Sequence, residues 1–289
     1  MKQVKTAIIP VAGYGTRFLP YTKAVPKAML PVINRPAVEI IIEEAINSGI
    51  EKIALVVGQN KENLAKHFSV SEELNRVLQG DAKKVYLDAI NKFNNYDIQL
   101  IEQTEQKGTA HAIAITKDFV GNEPFAVLFG DDLMYCETKP VIGQLIDNFN
   151  KTGKTIIGCR RVPIEQVSKY ASVEYLSNQD SLYEISKIIE KPKKEQIKSN
   201  LSPLGRYVCE NEIFDIIKDL KPGANNEYQF TDALDIISRV RGAYALEFEG
   251  TRYDMGDRLG FLKANVEFGL RDDGLGNEFK EYLLQLLKG

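Results

Sequence analysis

The chain has 289 residues, 44% of them apolar and 27% charged, the balance of a folded globular protein and not of a disordered one. Thirty-seven basic residues against 40 acidic ones leave a net charge of −3, which withholds the positive field that a nucleic-acid polymer needs but leaves room for a single nucleotide. Cys136, Cys159 and Cys209 are odd in number and far apart, the start of the chain does not read as a signal peptide, and no apolar run reaches the roughly 18 residues of a span, so a reduced cytoplasmic protein with no membrane partner is expected.

In chain order, TAII (6–9) reads as a strand, VEIIIEEAINS (38–48) as a helix, KIALVV (52–57) as a strand and 61–67 as a polar helix. The polar stretch 68–96 reads as a mostly helical excursion from the sheet. DIQLIE (97–102) and PFAVLFG (124–130) continue the strands, with helical patterns at HAIAIT (111–116) and PVIGQLIDNFN (140–150). This alternation predicts an α/β fold with a mostly parallel central sheet flanked by helices, whose ligands sit beyond the carboxyl ends of the strands. From about 155, TIIGCRR, SVEYL and SLYEISKIIE predict antiparallel strands in a smaller attached lobe. Helical patterns return at 211–218 and 229–240, followed by the strand AYALEFEG (243–250) and a closing helical region. One domain over 1–289 is expected, with lobes at 1–150 and 151–250 sharing a cleft and a last segment at 251–289.

The first strand runs into PVAGYGTRFLP. Gly13 and Gly15 let backbone N–H groups approach an anion, and Arg17 adds donors suited to phosphate oxygens. The stretch is neither a P-loop nor a dinucleotide fingerprint, and a tight turn with a solvated arginine would look the same in isolation. Lys23 and Lys27 follow at once, and the crowd of cations favours a triphosphate or its pyrophosphate leaving group.

PFAVLFGDD closes its strand with Asp131 and Asp132, where a carboxylate facing cations makes sense if it carries Mg²⁺. Asp254 of RYDMGD is the candidate second ligand, while Asp132 and Asp257 read as supporting or solvated groups. SKIIEKP delivers Glu190, an acceptor for sugar hydroxyls, and Lys191, a point charge for a sugar phosphate; a plain exposed ion pair is the alternative. Gly205, Gln229 and Asp232 fall near the same lobe. With only His67 and His111 present, and no Gly-x-Ser-x-Gly elbow, serine-hydrolase chemistry has no support; His111 reads as structural.

Taken together, IIPVAGYGTRFLP, TKAVPKAMLPV, IEQTEQKGTAHA, EPFAVLFGDD, SKYASV, IIEKP, GRYV, EYQFTDALD and EGTRYDMGDRLGFLKANVEFGLR, in this order, closely resemble the sugar nucleotidyltransferase family, and within it the bacterial UTP-glucose-1-phosphate uridylyltransferases. The resemblance implies a Rossmann-like nucleotidyltransferase type A fold with a nucleotide-binding and a sugar-binding lobe. It further implies UTP and glucose 1-phosphate as substrates, UDP-glucose and pyrophosphate as products, Mg²⁺ as cofactor, and a homodimer or homotetramer. Carried over by position, it puts the nucleotide on Ala12, Gly13, Gly15, Thr16, Arg17 and Lys27, and the base on Gln103 and Gly108. The sugar phosphate falls on Glu190, Lys191, Ala171 and Gly205, the metal on Asp131 and Asp254, and the chemical step on Arg17, Lys27, Asp131 and Lys191.

The chain departs from the family pattern at Ala28 (usually Glu), at Asn34 and Arg35 (usually Asp-Lys), at Ala110 (usually Gly) and at Ala171 (usually Gly). These changes leave two alternatives standing: a sister enzyme using dTTP or another sugar 1-phosphate, and a catalytically weakened binding protein.

Overall fold

The computed structural model describes residues 3–59, 61–223 and 226–288. β1 (Thr6–Pro10) is buried over Thr6–Ile9, as a strand packed on both faces must be. Three short 3₁₀ turns follow, Thr16–Phe18, Tyr21–Lys23 and Lys27–Met29; Pro20 and Pro26 keep the first two from running on as helix. The hairpin β2 (Pro31–Val32) and β3 (Arg35–Pro36) leads into α1 (Ala37–Ile46), which buries Val38, Ile41, Ile42 and Ala45 along one stripe. After β4 (Lys52–Val57) come α2 (Glu62–His67), the expected polar helix, and then α3 (Glu72–Val77) and α4 (Lys84–Asn91), the expected excursion; α3 and α4 bury no residue.

The sheet resumes with β5 (Asp97–Glu102), followed by α5 (Thr109–Ala114) and α6 (Lys117–Val120). β6 (Phe125–Leu128), β7 (Asp132–Tyr135), α7 (Val141–Thr152) and β8 (Thr155–Arg161) come next. β9 (Ala171–Gln179), β10 (Leu182–Glu190) and β11 (Leu201–Cys209) precede α8 (Ile213–Lys218) and α9 (Phe230–Arg241). The chain closes with β12 (Ala243–Glu247), β13 (Thr251–Asp254), α10 (Arg258–Arg271) and α11 (Gly276–Leu286).

Among the described residues, nine strands form one sheet in the order β5-β4-β1-β6-β11-β8-β12-β10-β9. β5, β4, β1 and β6 pair in parallel, the arrangement expected from the alternation of strands and helices. β11 then inserts antiparallel between β6 and β8, and β9 and β10 pair antiparallel beyond β12, so the sheet is mixed. The strands expected in a smaller attached lobe therefore extend the first sheet. β11 hides its central position in the sequence because Ser202, Pro203, Gly205 and Arg206 interrupt its apolar run, yet all nine of its residues are buried. Pro203 is tolerated there because the β8 ladder shifts register between Pro203 and Tyr207.

Successive side chains of β1 feed opposite cores, Ala7 and Ile9 the one built with α1 and α7, Ile8 the one built with α5, α8 and α9. Two features then position the site. β7 and β13 leave the main sheet as a two-stranded ribbon that sets Asp254 opposite Asp132. A register shift between Glu184 and Lys187 bends the β9–β10 pair, and Glu190 at the end of β10 meets Thr231 in the first turn of α9.

Candidate active site

A cavity of about 630 Å³ opens where β1, β5, β6 and β10 end. Ala12, Gly13, Lys27, Gln103, Gly108, Asp131, Glu190 and Lys191, assigned from the sequence to both substrates, all line it. A larger cavity of 860 Å³ between α1 and the excursion contains none of the assigned residues. Gly15, Thr16 and Arg17 follow along the same loop outside the lining, and Lys23 is exposed away from it. Arg17 is nonetheless close to the acidic groups, because its Nη1 donates to the Gly256 carbonyl at 3.0 Å.

Asp131 and Asp254 are brought together by the ribbon, where Met255 N donates to Asp131 O at 2.7 Å. A Cβ placed on Gly256 would lie 2.9 Å from Asp254 Oδ1 and 3.3 Å from both Asp131 Oδ2 and Arg17 Nη1. A side chain at Gly256 would crowd both carboxylates and the Arg17 guanidinium, so glycine keeps the space between them clear, and the two carboxylates are hard oxygen donors of the kind Mg²⁺ takes. Among the described residues no group of three or more His, Cys, Asp or Glu side chains is arranged to hold a metal. Burial pushes the Asp131 carboxyl up, but the Lys27 ammonium at 2.8 Å outweighs it and holds the group below the usual carboxylate range.

Asp132, expected to be supporting or solvated, is buried and accepts a hydrogen bond from Arg252 Nε at 2.6 Å. Burial, with help from the Asp131 and Asp254 charges, pushes it up to about 6 against the pull of Arg252. Asp257 instead caps α10, its Oδ2 accepting from Leu259 N and Gly260 N, each at 3.1 Å.

At the end of β10, Glu190 accepts from Thr231 Oγ1 at 2.8 Å, and burial raises its carboxyl above the ordinary range. Lys191 stands exposed with a left-handed backbone, φ 44°, pinned by its N–H donating to Tyr170 O at 2.7 Å. Gln103 is buried, its Nε2 3.3 Å from the Gly108 carbonyl that accepts from it and 3.0 Å from His111 Nδ1. His111 thus helps to fix the glutamine's orientation, a task its sequence context did not reveal.

Gly205 and Ala171 do not reach the cavity lining. Ala171 is the buried first residue of β9, in register with Glu190. Gly205 has φ 70°, and a Cβ there would fall 2.2 Å from Asp132 Oδ2, so it makes room for a carboxylate. Gly205→Ala is expected to destabilise the fold by roughly 2–4 kcal/mol through left-handed strain and this clash. Thermal melting beside the parent chain checks it: the melting point falls. Of the other departures from the family pattern, Ala110 is packed in the interior and only Ala28 touches the cavity.

A family model described as nucleotidyl transferase matches residues 6–269. The chain belongs to the nucleotidyl transferase family. Within it, this nucleotidyl transferase is 43% identical over 287 residues to the UTP-glucose-1-phosphate uridylyltransferase of Staphylococcus epidermidis, with 99% of each chain covered. It is also 43% identical over 288 residues to that of Bacillus subtilis (strain 168), covering 99% of this chain and 98% of the relative. The solved structure of a UDP-glucose pyrophosphorylase complexed with UDP-glucose superposes with a TM-score of 0.86 at 36% identity, over 93% of this chain and 100% of the other. A UTP-bound UGPase from Acinetobacter baumannii gives 0.89 at 33% identity, over 98% and 100%.

Proposed function

We propose that this nucleotidyl transferase joins UTP and α-D-glucose 1-phosphate into UDP-glucose and releases pyrophosphate. The observation that carries the reading is the one cavity shared by Lys27, Gln103 and Asp131 on one side and Glu190 and Lys191 on the other, in a chain 43% identical over nearly its whole length to uridylyltransferases. Both substrates need to meet there, end to end.

Gln103 turns its amide nitrogen toward Gly108 O and His111, which leaves its carbonyl oxygen as an acceptor for the N3–H of uracil, with Gly108 beside the base. The loop of Ala12, Gly13, Gly15 and Thr16 offers backbone N–H groups to the triphosphate, and Arg17 and Lys27 stabilise the charge that develops on departing pyrophosphate. Glu190 accepts from a sugar hydroxyl, and Lys191 orients the sugar phosphate. One oxygen of that phosphate forms a bond to the α-phosphorus of UTP as the bond from that phosphorus to pyrophosphate breaks, in line with it. No general base is required, because the attacking phosphate is already anionic.

Asp131 and Asp254 are the residues that would hold Mg²⁺, which when bound polarises phosphate oxygens and neutralises their charge. A homodimer or homotetramer goes with this reading, supported by Leu259, Leu262, Tyr282 and Leu286, which α10 and α11 leave exposed. So does a cytoplasmic setting, since Cys136, Cys159 and Cys209 are unpaired and no helix among the described residues is long and apolar enough to cross a membrane.

Competition between UTP and dTTP, with glucose 1-phosphate and a panel of other sugar 1-phosphates, tests the assignment of substrates. UTP with glucose 1-phosphate is expected to give the highest kcat/KM. A preference for dTTP would move the chain to a sister activity.

A further inference from the structure

We infer that Arg252 is a positioning residue that ties the carboxylate of Asp254 to the backbone that presents Lys191. The inference rests on the roles proposed above for those two residues. Arg252 and Asp254 are two apart on β13 and so share a face of the ribbon. The guanidinium is largely buried, with 16% of its side chain exposed, and its five donors are spread over three partners. Nε donates to Asp132 Oδ1 at 2.6 Å, Nη2 to Asp254 Oδ2 at 3.3 Å and Nη1 to the Tyr170 hydroxyl at 3.2 Å. Its carbon centre also sits 5.1 Å from the centroid of the Tyr170 ring, within cation–π range.

Each partner leads to one side of the reaction. Asp254 Oδ2 is held by Arg252 and Oδ1 by Gly256 N at 2.8 Å, so the orientation of this carboxylate toward Asp131 is fixed at both oxygens. Tyr170, held by its ring and its hydroxyl, uses its main-chain carbonyl to accept from Lys191 N and so supports the left-handed backbone that directs Lys191. Asp132 anchors the guanidinium from below and needs the space that Gly205 leaves. One planar cation thus sets the distance between the metal carboxylate and the sugar-phosphate lysine. A lysine carries the same charge but cannot reach three directions at once.

The test uses the full chain, Mn²⁺ as an electron-paramagnetic-resonance probe of the carboxylate pair, and calorimetric binding of glucose 1-phosphate, so neither readout depends on turnover. Arg252→Lys is expected to weaken both Mn²⁺ and glucose 1-phosphate by about tenfold or more, the usual loss when a supporting partner of a ligand is removed. UTP affinity should stay within about twofold of the original, since no donor of Arg252 reaches the base or the glycine loop. Tyr170→Leu cuts only one arm and is expected to weaken glucose 1-phosphate while Mn²⁺ binding is retained. The inference is overturned if Arg252→Lys binds Mn²⁺ and glucose 1-phosphate as the parent does, if UTP falls in step with both, or if Tyr170→Leu weakens Mn²⁺ as much as it weakens the sugar phosphate. Should the parent chain bind all three ligands but release no pyrophosphate, the proposed reaction fails while these binding ratios still judge Arg252.

Discussion

Asp131→Ala is expected to lower kcat by roughly 10³-fold while the melting temperature moves by only a few degrees. The side chain is half-buried at the mouth of the cavity, so its removal opens no core, and the main-chain bond from Met255 N to Asp131 O survives the substitution. What disappears is a carboxylate that the Lys27 ammonium holds below its ordinary range and that lies near Asp254 across Gly256. Asp131→Asn keeps the shape, loses the charge, and should fall nearly as far. Initial rates beside thermal melting check the prediction. Near-normal turnover in either variant would remove Asp131 from the metal assignment.

Arg206→Met has the opposite profile: the fold is expected to lose about 3–5 kcal/mol, because a buried carboxylate is left without its countercharge. Arg206 is fully buried in β11, and its Nε and Nη2 clasp Glu44 of α1 with Nη2 2.7 Å from Oε2. The same guanidinium donates to the carbonyls of Asp132 at 2.7 Å and Gly205 at 3.0 Å, so it braces the floor under the active site. Glu44 also accepts from Ile142 N at the start of α7 at 3.0 Å. In denaturant titrations the double variant Glu44→Met with Arg206→Met should recover part of the loss, since no charge is then stranded. A single-variant loss under about 1 kcal/mol would show that the pair is not structural.

The parallel half of the sheet was legible because β1, β4 and β6 are continuous apolar runs with helical patterns between them, a signal that needs no partner to interpret. β11 was not, because a central strand carrying Arg206 becomes intelligible only when Glu44, far away in sequence, is seen to neutralise it. The loop proposed for the phosphates and the two aspartates proposed for the metal stood out for a similar reason of locality: each sits where a strand ends in a glycine-bearing turn. The neighbour of Gly205 was not legible, because a glycine reports only that a Cβ does not fit, and here the obstacle is Asp132. Arg252 lay inside a matched motif yet drew no role, although its place two residues before Asp254 on a strand already put the two on one face. His111 reads as structural from the sequence, but its partner Gln103 was not legible, since the contact depends on how β5 and α5 are joined at Gly108.

The central claim is that one cavity brings UTP and glucose 1-phosphate together for direct transfer. A ³¹P nuclear magnetic resonance time course with UTP, glucose 1-phosphate, Mg²⁺ and the intact chain tests it most directly. UDP-glucose and pyrophosphate should appear in equal amounts, and omission of either substrate or of Mg²⁺ should abolish both. A folded protein that binds UTP and glucose 1-phosphate yet forms neither product would contradict the account and return the chain to the role of a binding protein.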